Sequence, residues 1–332
     1  MPQTERQLIA RIRRAASHSG RSVVTGIGDD AAVLRMPSGH EVLVTTDFSI
    51  EGVHFRREWH RAEIVGWRCL TRGLSDIAAM GGEPRAAFLS LALAGDVPQS
   101  WVDRFMKGLL ELARKFDVPL AGGDTAQAAT GVQADIVVVG SVPKGEAVLR
   151  SGARAGDQIY VTGKLGGSAM ALTLLAGPER LRTESSPDFR PLLHSHFRPL
   201  ARVAVGRWLR RKLVPSAMID VSDGLSTDLE HICSESGVGA EIDEAAIPRA
   251  RFGPGGKRVV DLDFALHGGD DYELLFTSSR RVPAMVEGVQ VTRIGRVIAS
   301  RGIRTVDANG KKRRLEVRGW EHFQRNSRRD SK

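Results

Sequence analysis

Apolar positions along this chain switch between two periods in alternating blocks. Leu8, Ile9, Ile12 and Ala15 fall at helical spacing, which predicts a basic amphipathic helix over residues 4–18. A turn at Pro37, Ser38 and Gly39 leads into an apolar strand over 41–45, which ends in Thr45, Thr46 and Asp47. Ile64, Val65, Trp67, Leu70, Leu74 and Ile77 predict a second helix over 61–80, stopped by Gly81, Gly82 and Pro84. The same reading gives a strand over 85–94 and a helix over 99–116. A buried strand over 118–121 runs into a turn at Gly122, Gly123, Asp124 and Thr125, and another strand spans 132–142.

The pattern breaks at 147–157, and the domain boundary is placed there. Beyond it come a strand over 158–162, a glycine turn over 163–168 and a helix. Residues 185–196 are polar and proline-containing and read as a mobile stretch. A basic helix over 199–213 precedes a strand over 217–219 that ends in Asp220, Val221, Ser222, Asp223 and Gly224. Ser222 or Asp223 is placed to cap the helix that follows, which runs to Ser236. A glycine-acid segment from His267 to Asp271 leads into a further strand, and another strand spans 291–298. Long strands alternating with helices make the fold class α/β (α+β).

Length changes this picture by favouring two domains for 332 residues, here 1–148 and 149–323, with 324–332 as a disordered basic tail. No apolar run approaches the roughly 20 residues of a membrane span, and the first residues lack the apolar core of a signal peptide. The expectation is a cytoplasmic protein without a membrane partner. Cys69 and Cys233 lie far apart in helical segments and read as buried free thiols. The net charge of +9 invites a nucleic-acid reading, but residues 301–332 hold eleven Lys/Arg against four Asp/Glu, which is +7 of it. The charge belongs to the C-terminal end, residues 311–314 read as a turn, and no aromatics are interleaved. No specific nucleic-acid partner is expected.

Against that basic background the segment from Gly26 to His54 carries Asp29, Asp30, Glu41, Asp47 and Glu51 with Arg35 as its single Lys/Arg, a local charge of −4. Acids beside glycines or at strand ends recur as Asp76, Asp124, Asp220, Asp223, Asp270 and Asp271. Unit charges 4 Å apart repel by about 4 kcal/mol at an effective dielectric of about 20, so bringing such a set together requires cations. Oxygen donors without a His/Cys cluster suit magnesium rather than zinc. A solvated acidic hairpin competes with this reading for Asp29 and Asp30, as solvent exposure does for Asp76. Glycine turns add backbone N–H groups able to cradle phosphate oxygens.

The ordered motifs GIGDDAA, TTDFSIEGVHF, LSDIAAMGG, AGGDT, DVSDGLSTDL, GGDDYELLF and GWEHF resemble the thiamine-monophosphate kinases of the aminoimidazole-ribonucleotide-synthetase-like superfamily, over nearly the whole chain. The resemblance implies a two-domain synthetase-like fold. Its N-terminal mixed sheet would form a barrel across a homodimer, and its C-terminal domain would be α+β. It also implies ATP-dependent phosphorylation of thiamine phosphate to thiamine diphosphate. Carried over by motif, Asp30, Thr45, Thr46, Asp47, Asp76, Asp124, Asp220 and Asp223 would hold several magnesium ions, with Asp47, Asp124 and Asp220 central to catalysis. Gly123, Asp124, Arg150 and Ser222 would contact ATP, and His54, Asp271 and Trp320 would contact thiamine phosphate. For His54 and Trp320 simple packing competes. A sibling synthetase and a nucleotide-binding regulator are the other functional classes the motifs allow.

Overall fold

The computed structural model describes residues 4–16, 20, 22–178 and 180–321. His322, Phe323 and the expected tail at 324–332 lie outside the described residues.

The first half runs through α1 (Glu5–Ala15), a small ladder of β1 (Val23–Thr25) and β2 (Val33–Leu34), β3 (His40–Ile50), α2 (Ala62–Ala79), β4 (Glu83–Leu93), α3 (Gln99–Lys115), β5 (Leu120–Gln127) and β6 (Val132–Pro143). Its main sheet has the order β3-β6-β4-β5, with β4 and β5 parallel and the other pairs antiparallel. This is the mixed sheet expected. One face is covered by α2 and α3, which cross so closely that a Cβ on Gly66 would lie 2.0 Å from the Phe105 carbonyl oxygen. The other face is open at β3, where Val42, Val44 and Phe48 are 52%, 65% and 57% exposed.

The second half continues through β7 (Gln158–Thr162), α4 (Gly167–Ala176), α5 (Arg180–Ser185), α6 (Arg190–Phe197), α7 (Val203–Lys212), β8 (Ala217–Val221), α8 (Leu225–Ser236), β9 (Gly239–Asp243), β10 (Arg251–Phe252), β11 (Arg258–Val259), α9 (Leu262–His267), β12 (Glu273–Ser278), β13 (Met285–Val286), β14 (Val289–Ile298), β15 (Gly302–Val306) and β16 (Lys312–Arg314). Its eight-stranded sheet has the order β16-β15-β9-β14-β7-β12-β8, with β13 paired to β14. Met218, Leu274 and Phe276 belong to the same core as α2 and the first sheet, whereas Ile219, Val221 and Leu275 pack in a separate core that includes Leu225 and Leu229 of α8. Helix α2 is thus buried between the two halves. Cys69 and Cys233 are buried and free, as expected.

Several local expectations are corrected. Strand β3 does not end at Asp47 but pairs with β6 residue by residue to Ile50, so Asp47 lies inside the strand. Gly122, Gly123, Asp124 and Thr125 are part of β5 rather than a turn. Residues 185–196 are largely helical; Leu192, Leu193 and His196 bury one side of α6, and Pro191 sits at the start of that helix, where its missing N–H costs nothing. Residues 312–314 form a strand against β15 instead of a turn. Gly224 occupies the N-cap of α8 without a side-chain cap, so neither Ser222 nor Asp223 fills that role.

Candidate active site

Strand β3 turns Thr45 and Asp47 toward α2 and Thr46 toward the open face, as strand alternation requires. Asp76, in the last turn of α2, accepts a hydrogen bond from the Thr45 hydroxyl. Asp220 lies on β8 in a row otherwise made of Met218 and apolar neighbours; it is 2% exposed and accepts from Ser75 Oγ at 2.7 Å. Three carboxyl groups therefore meet where α2 passes between the halves. Burial, and then the charge of Asp76, push Asp47 up to about 7. Burial, followed again by Asp76, pushes Asp220 up to about 8. Asp76 is raised by burial, against the pull of Thr45, Arg150 and Arg72. The Arg150 charge is felt by both Asp76 and Asp220, which places that side chain at the cluster.

The second half adds a tier to the same seam. The Ser222 carbonyl accepts from the Asp270 N–H at 2.8 Å, and the Asp223 carbonyl accepts from the Trp320 N–H at 2.9 Å. Ser222, Asp223, Asp270, Asp271 and Trp320 thus share one corner, and Trp320 is 51% exposed. Burial raises Asp271 well above the usual carboxyl range, and Asp271 accepts from the Gly166 N–H at 2.8 Å. Burial would also raise Asp270, but Arg68, Arg72 and the Tyr272 hydroxyl overcome it and hold that carboxylate well below the usual range.

Asp30, Gly123 and Asp124 gather elsewhere. They line a cavity of about 540 Å³ with Gly26, Gly28, Asp29 and α1 residues Ile9 and Ile12. In register Asp47 faces Ile136, Leu89 and then Gly123, so Asp47 and Gly123 sit at opposite edges of the sheet. Three strand spacings separate them, roughly 14 Å. Gly123 has φ +147°, and a Cβ there would lie 1.8 Å from the Leu89 carbonyl oxygen, so only glycine lets β5 approach β4 at this point. A larger cavity of about 720 Å³, lined by Glu146, Leu149, Ser151, Arg210 and Val214, holds none of these acids, so its size carries no weight here.

The expected set is therefore split. Thr45, Asp47, Asp76, Arg150 and Asp220 come together, with Ser222, Asp223, Asp271 and Trp320 beside them. Asp30, Gly123 and Asp124 form a separate group. Thr46 instead donates to Asp135 Oδ1 at 2.7 Å on the open face. His54 lies on the turn after β3, where its Nδ1 accepts from the Ile50 N–H at 3.0 Å.

The buried oxygens and their mutual repulsion fit a hard divalent cation. Among the described residues, however, no three His, Cys, Asp or Glu side chains already converge in ligand geometry. The hydroxyls of Thr45 and Ser75 hold Asp76 and Asp220 instead.

Four residues at the site carry no role in the sequence reading. Asp135 and Arg72 interrupt apolar stretches, and Arg68, Arg72 and Asp76 recur at every fourth position of α2, a stripe that could have been noticed. Asp228, 1% exposed, accepts from the Gly224 N–H at 3.0 Å and braces the turn carrying Asp223.

Comparison with known proteins adds the lineage. Family models for the AIR synthase related protein N-terminal and C-terminal domains match residues 28–142 and 154–307. The thiamine-monophosphate kinase of Escherichia coli strain K12 is 37% identical over 330 residues, 96% of this chain and 98% of its own. The crystal structure of thiamine-monophosphate kinase from Stenotrophomonas maltophilia K279a superposes with a TM-score of 0.80 at 35% identity, over 94% of this chain and 98% of that one. AaThiL complexed with AMPPCP and TMP superposes with a TM-score of 0.74 at 32% identity, over 96% and 97% of the two chains. The chain belongs to the thiamine-monophosphate kinase family of AIR synthase related proteins.

Proposed function

We propose that the protein uses ATP to phosphorylate thiamine phosphate, giving thiamine diphosphate by direct in-line transfer, and that it works in the cytoplasm as a homodimer with magnesium. The observation that carries the reading is the trio of half-buried Asp47 and Asp76 and fully buried Asp220 at the seam between the halves, in a chain so closely related to kinases of this name. Binding of AMPPCP, an ATP analogue, together with TMP by the AaThiL relative supports both substrates. The boundary between domains 1–148 and 149–323 falls in the interval between the two family models.

The split site supports the dimer. Strands β3 and β5 are the two edges of the first sheet, and β3 presents eleven residues of unpaired edge beside Val42, Val44 and Phe48. A long, flat, apolar edge seeks a partner strand. A two-fold copy that pairs its β5 with this β3 closes an eight-stranded barrel and covers the apolar face. Such a pairing would set the partner copy's β5, which carries Gly123 and Asp124, beside the β3 that carries Asp47, so that the two groups of acids would lie across one interface.

In that arrangement Asp47, Asp76 and Asp220, with Thr45 and Asp223, would hold magnesium, and Asp124 and Asp30 would join from the partner copy; Thr46, which is turned to the opposite face toward Asp135, stays outside this set. Magnesium would supply charge neutralisation between two anionic substrates. Gly123, Arg150 and Ser222 orient ATP; Arg150 offers a planar donor fork to phosphate oxygens. Asp271 and His54 bind thiamine phosphate, and Trp320 stacks on its cationic ring. The attacking phosphate oxygen is largely ionised at neutral pH, its second pKa being near 6. No strong general base is required, and positioning carries the reaction. The test is to incubate the full chain with ATP, magnesium and thiamine phosphate and to follow ADP and thiamine diphosphate. ADP release without thiamine diphosphate would sink the assignment.

A further inference from the structure

The acid cluster contains a cation of its own that no substrate or metal role accounts for. Arg72 projects from α2 one turn before Asp76 and one turn after Arg68, and its side chain is only 14% exposed. Its one described ion-pair partner is Asp270, at 3.4 Å from Nη2. Asp270 is already well provided for, by Arg68 at 2.9 Å and by the Tyr272 hydroxyl at 2.6 Å. Arg72 is therefore surplus to the salt bridge that joins the halves. Its Nε is buried with no hydrogen-bond acceptor among the described residues, an arrangement that costs about 1–3 kcal/mol unless something offsets it. Arg72 and Asp76 stand four residues apart on α2 and so share one face of that helix, and the Arg72 charge favours the ionised forms of Asp76 and Asp47.

We propose that Arg72 is a built-in counter-ion of the acid cluster, a positioning residue whose charge offsets the repulsion between Asp47 and Asp76 before any divalent cation arrives and so lowers the affinity for the first cation. The inference rests on the reading of that cluster as a cation site. A fixed positive charge beside a site that receives a doubly charged ion must weaken the binding of that ion, because both compete for the same carboxylates. Its benefit is electrostatic: without it, two half-buried carboxyls and the buried Asp220 are left with Arg150 as the arginine whose charge reaches both Asp76 and Asp220. The charge is also conditional. Arg72 belongs to the first half and Asp270 to the second, so the guanidinium is held in place only while the halves are docked as seen here.

The two explanations of Arg72 predict opposite signs. If it only braces the fold, removing it loosens the acids and weakens cation binding. If it is a counter-ion, removing it strengthens binding. Mn2+ affinity of the full chain without nucleotide, read from the electron paramagnetic resonance signal of free Mn2+ at pH 8.5, separates them. Arg72→Met and Arg72→Gln should bind the first Mn2+ about tenfold tighter than the parent protein, the order expected for one unit charge several ångströms away in a partly solvated site. Arg72→Lys should return the affinity to the parent value. Asp270→Asn, which keeps the Arg72 charge, should not tighten binding. Unchanged or weaker binding in folded Arg72→Met and Arg72→Gln overturns the counter-ion role, as does tightening in Asp270→Asn. A parent protein that binds no Mn2+ overturns the cation site itself, whereas a parent that binds Mn2+ but makes no thiamine diphosphate overturns only the proposed reaction.

Discussion

Replacing Asp220 by asparagine should make the metal-free protein more stable at alkaline pH while destroying its activity. The amide would keep an acceptor for Ser75 Oγ, which lies 2.7 Å from the Asp220 carboxyl, and would remove one charge from the cluster. The sign follows from linkage. Asp220 is raised from 3.8 to about 8 in the folded chain, chiefly by burial and then by Asp76. Between those values the folded chain holds a proton that the unfolded chain lacks, so this group's contribution to stability is present at low pH and is lost as pH rises through about 8. Carrying one carboxyl over that range corresponds to a ceiling of about 6 kcal/mol. Asp47 and Asp76 share the repulsion, so we expect asparagine to recover about 2–3 kcal/mol of it at pH 8.5. In a chain of this size that is a rise of about 5 °C in Tm.

The assay is thermal unfolding in EDTA at pH 5 and pH 8.5, followed by circular dichroism. Asp220→Asn should melt above the parent at pH 8.5 and by a much smaller margin at pH 5, where only the first part of the window above 3.8 has been crossed. With magnesium the order should reverse, because the cation stabilises the parent by binding only the folded state. If the variant melts below the parent by the same margin at both pH values in EDTA, Asp220 is ionised and satisfied, and the repulsion argument fails.

Other consequences are equally open to measurement. Phe48→Asp places a charge on the exposed apolar face of β3; under the proposed shared site, sedimentation should show a monomer and thiamine diphosphate formation should fall at least about 100-fold, because the partner's β5 would no longer complete the site. A variant that is monomeric and fully active would remove the shared site. Gly123→Ala puts a methyl 1.8 Å from the Leu89 carbonyl oxygen, so β5 must move, and KM for ATP should rise by about tenfold or more with a smaller effect on thiamine phosphate. An equal rise for both substrates would count against a nucleotide role. Trp320→Ala should raise KM for thiamine phosphate about tenfold while leaving KM for ATP unchanged, the expected loss of one cation–π contact. Unaltered kinetics would leave Trp320 as packing against Asp223.

The chemistry of this site is more legible in the sequence than its geometry. Strand β7 can be read to the residue because the apolar Ile159, Tyr160 and Val161 sit in a short segment bounded by Asp157 and Gly163. Strand β3 looks shorter in sequence than it is because hydrophobicity fades at Thr45, yet the strand continues, since β6 offers an unbroken partner and alternation carries Thr45, Asp47 and Ser49 along one face. The helix at Arg190–Phe197 is hidden because Pro191 and two histidines mask the burial of Leu192 and Leu193. At the N-terminus of α8 the sequence points to a cap before the helix, whereas Asp228 reaches back from inside it. The acids themselves announce a cation site by type and number, and burial shows their cost at Asp47 and Asp220. Which of them meet is decided by strand order, and β3-β6-β4-β5 is set by long-range pairing that no local pattern records. That order puts Asp47 and Asp124 on opposite edges of one sheet. In the proposed dimer these two edges meet, one of them flanked by an uncovered apolar face. The split that looks like a failure of the expected constellation is thus the physical argument for a second copy of the chain.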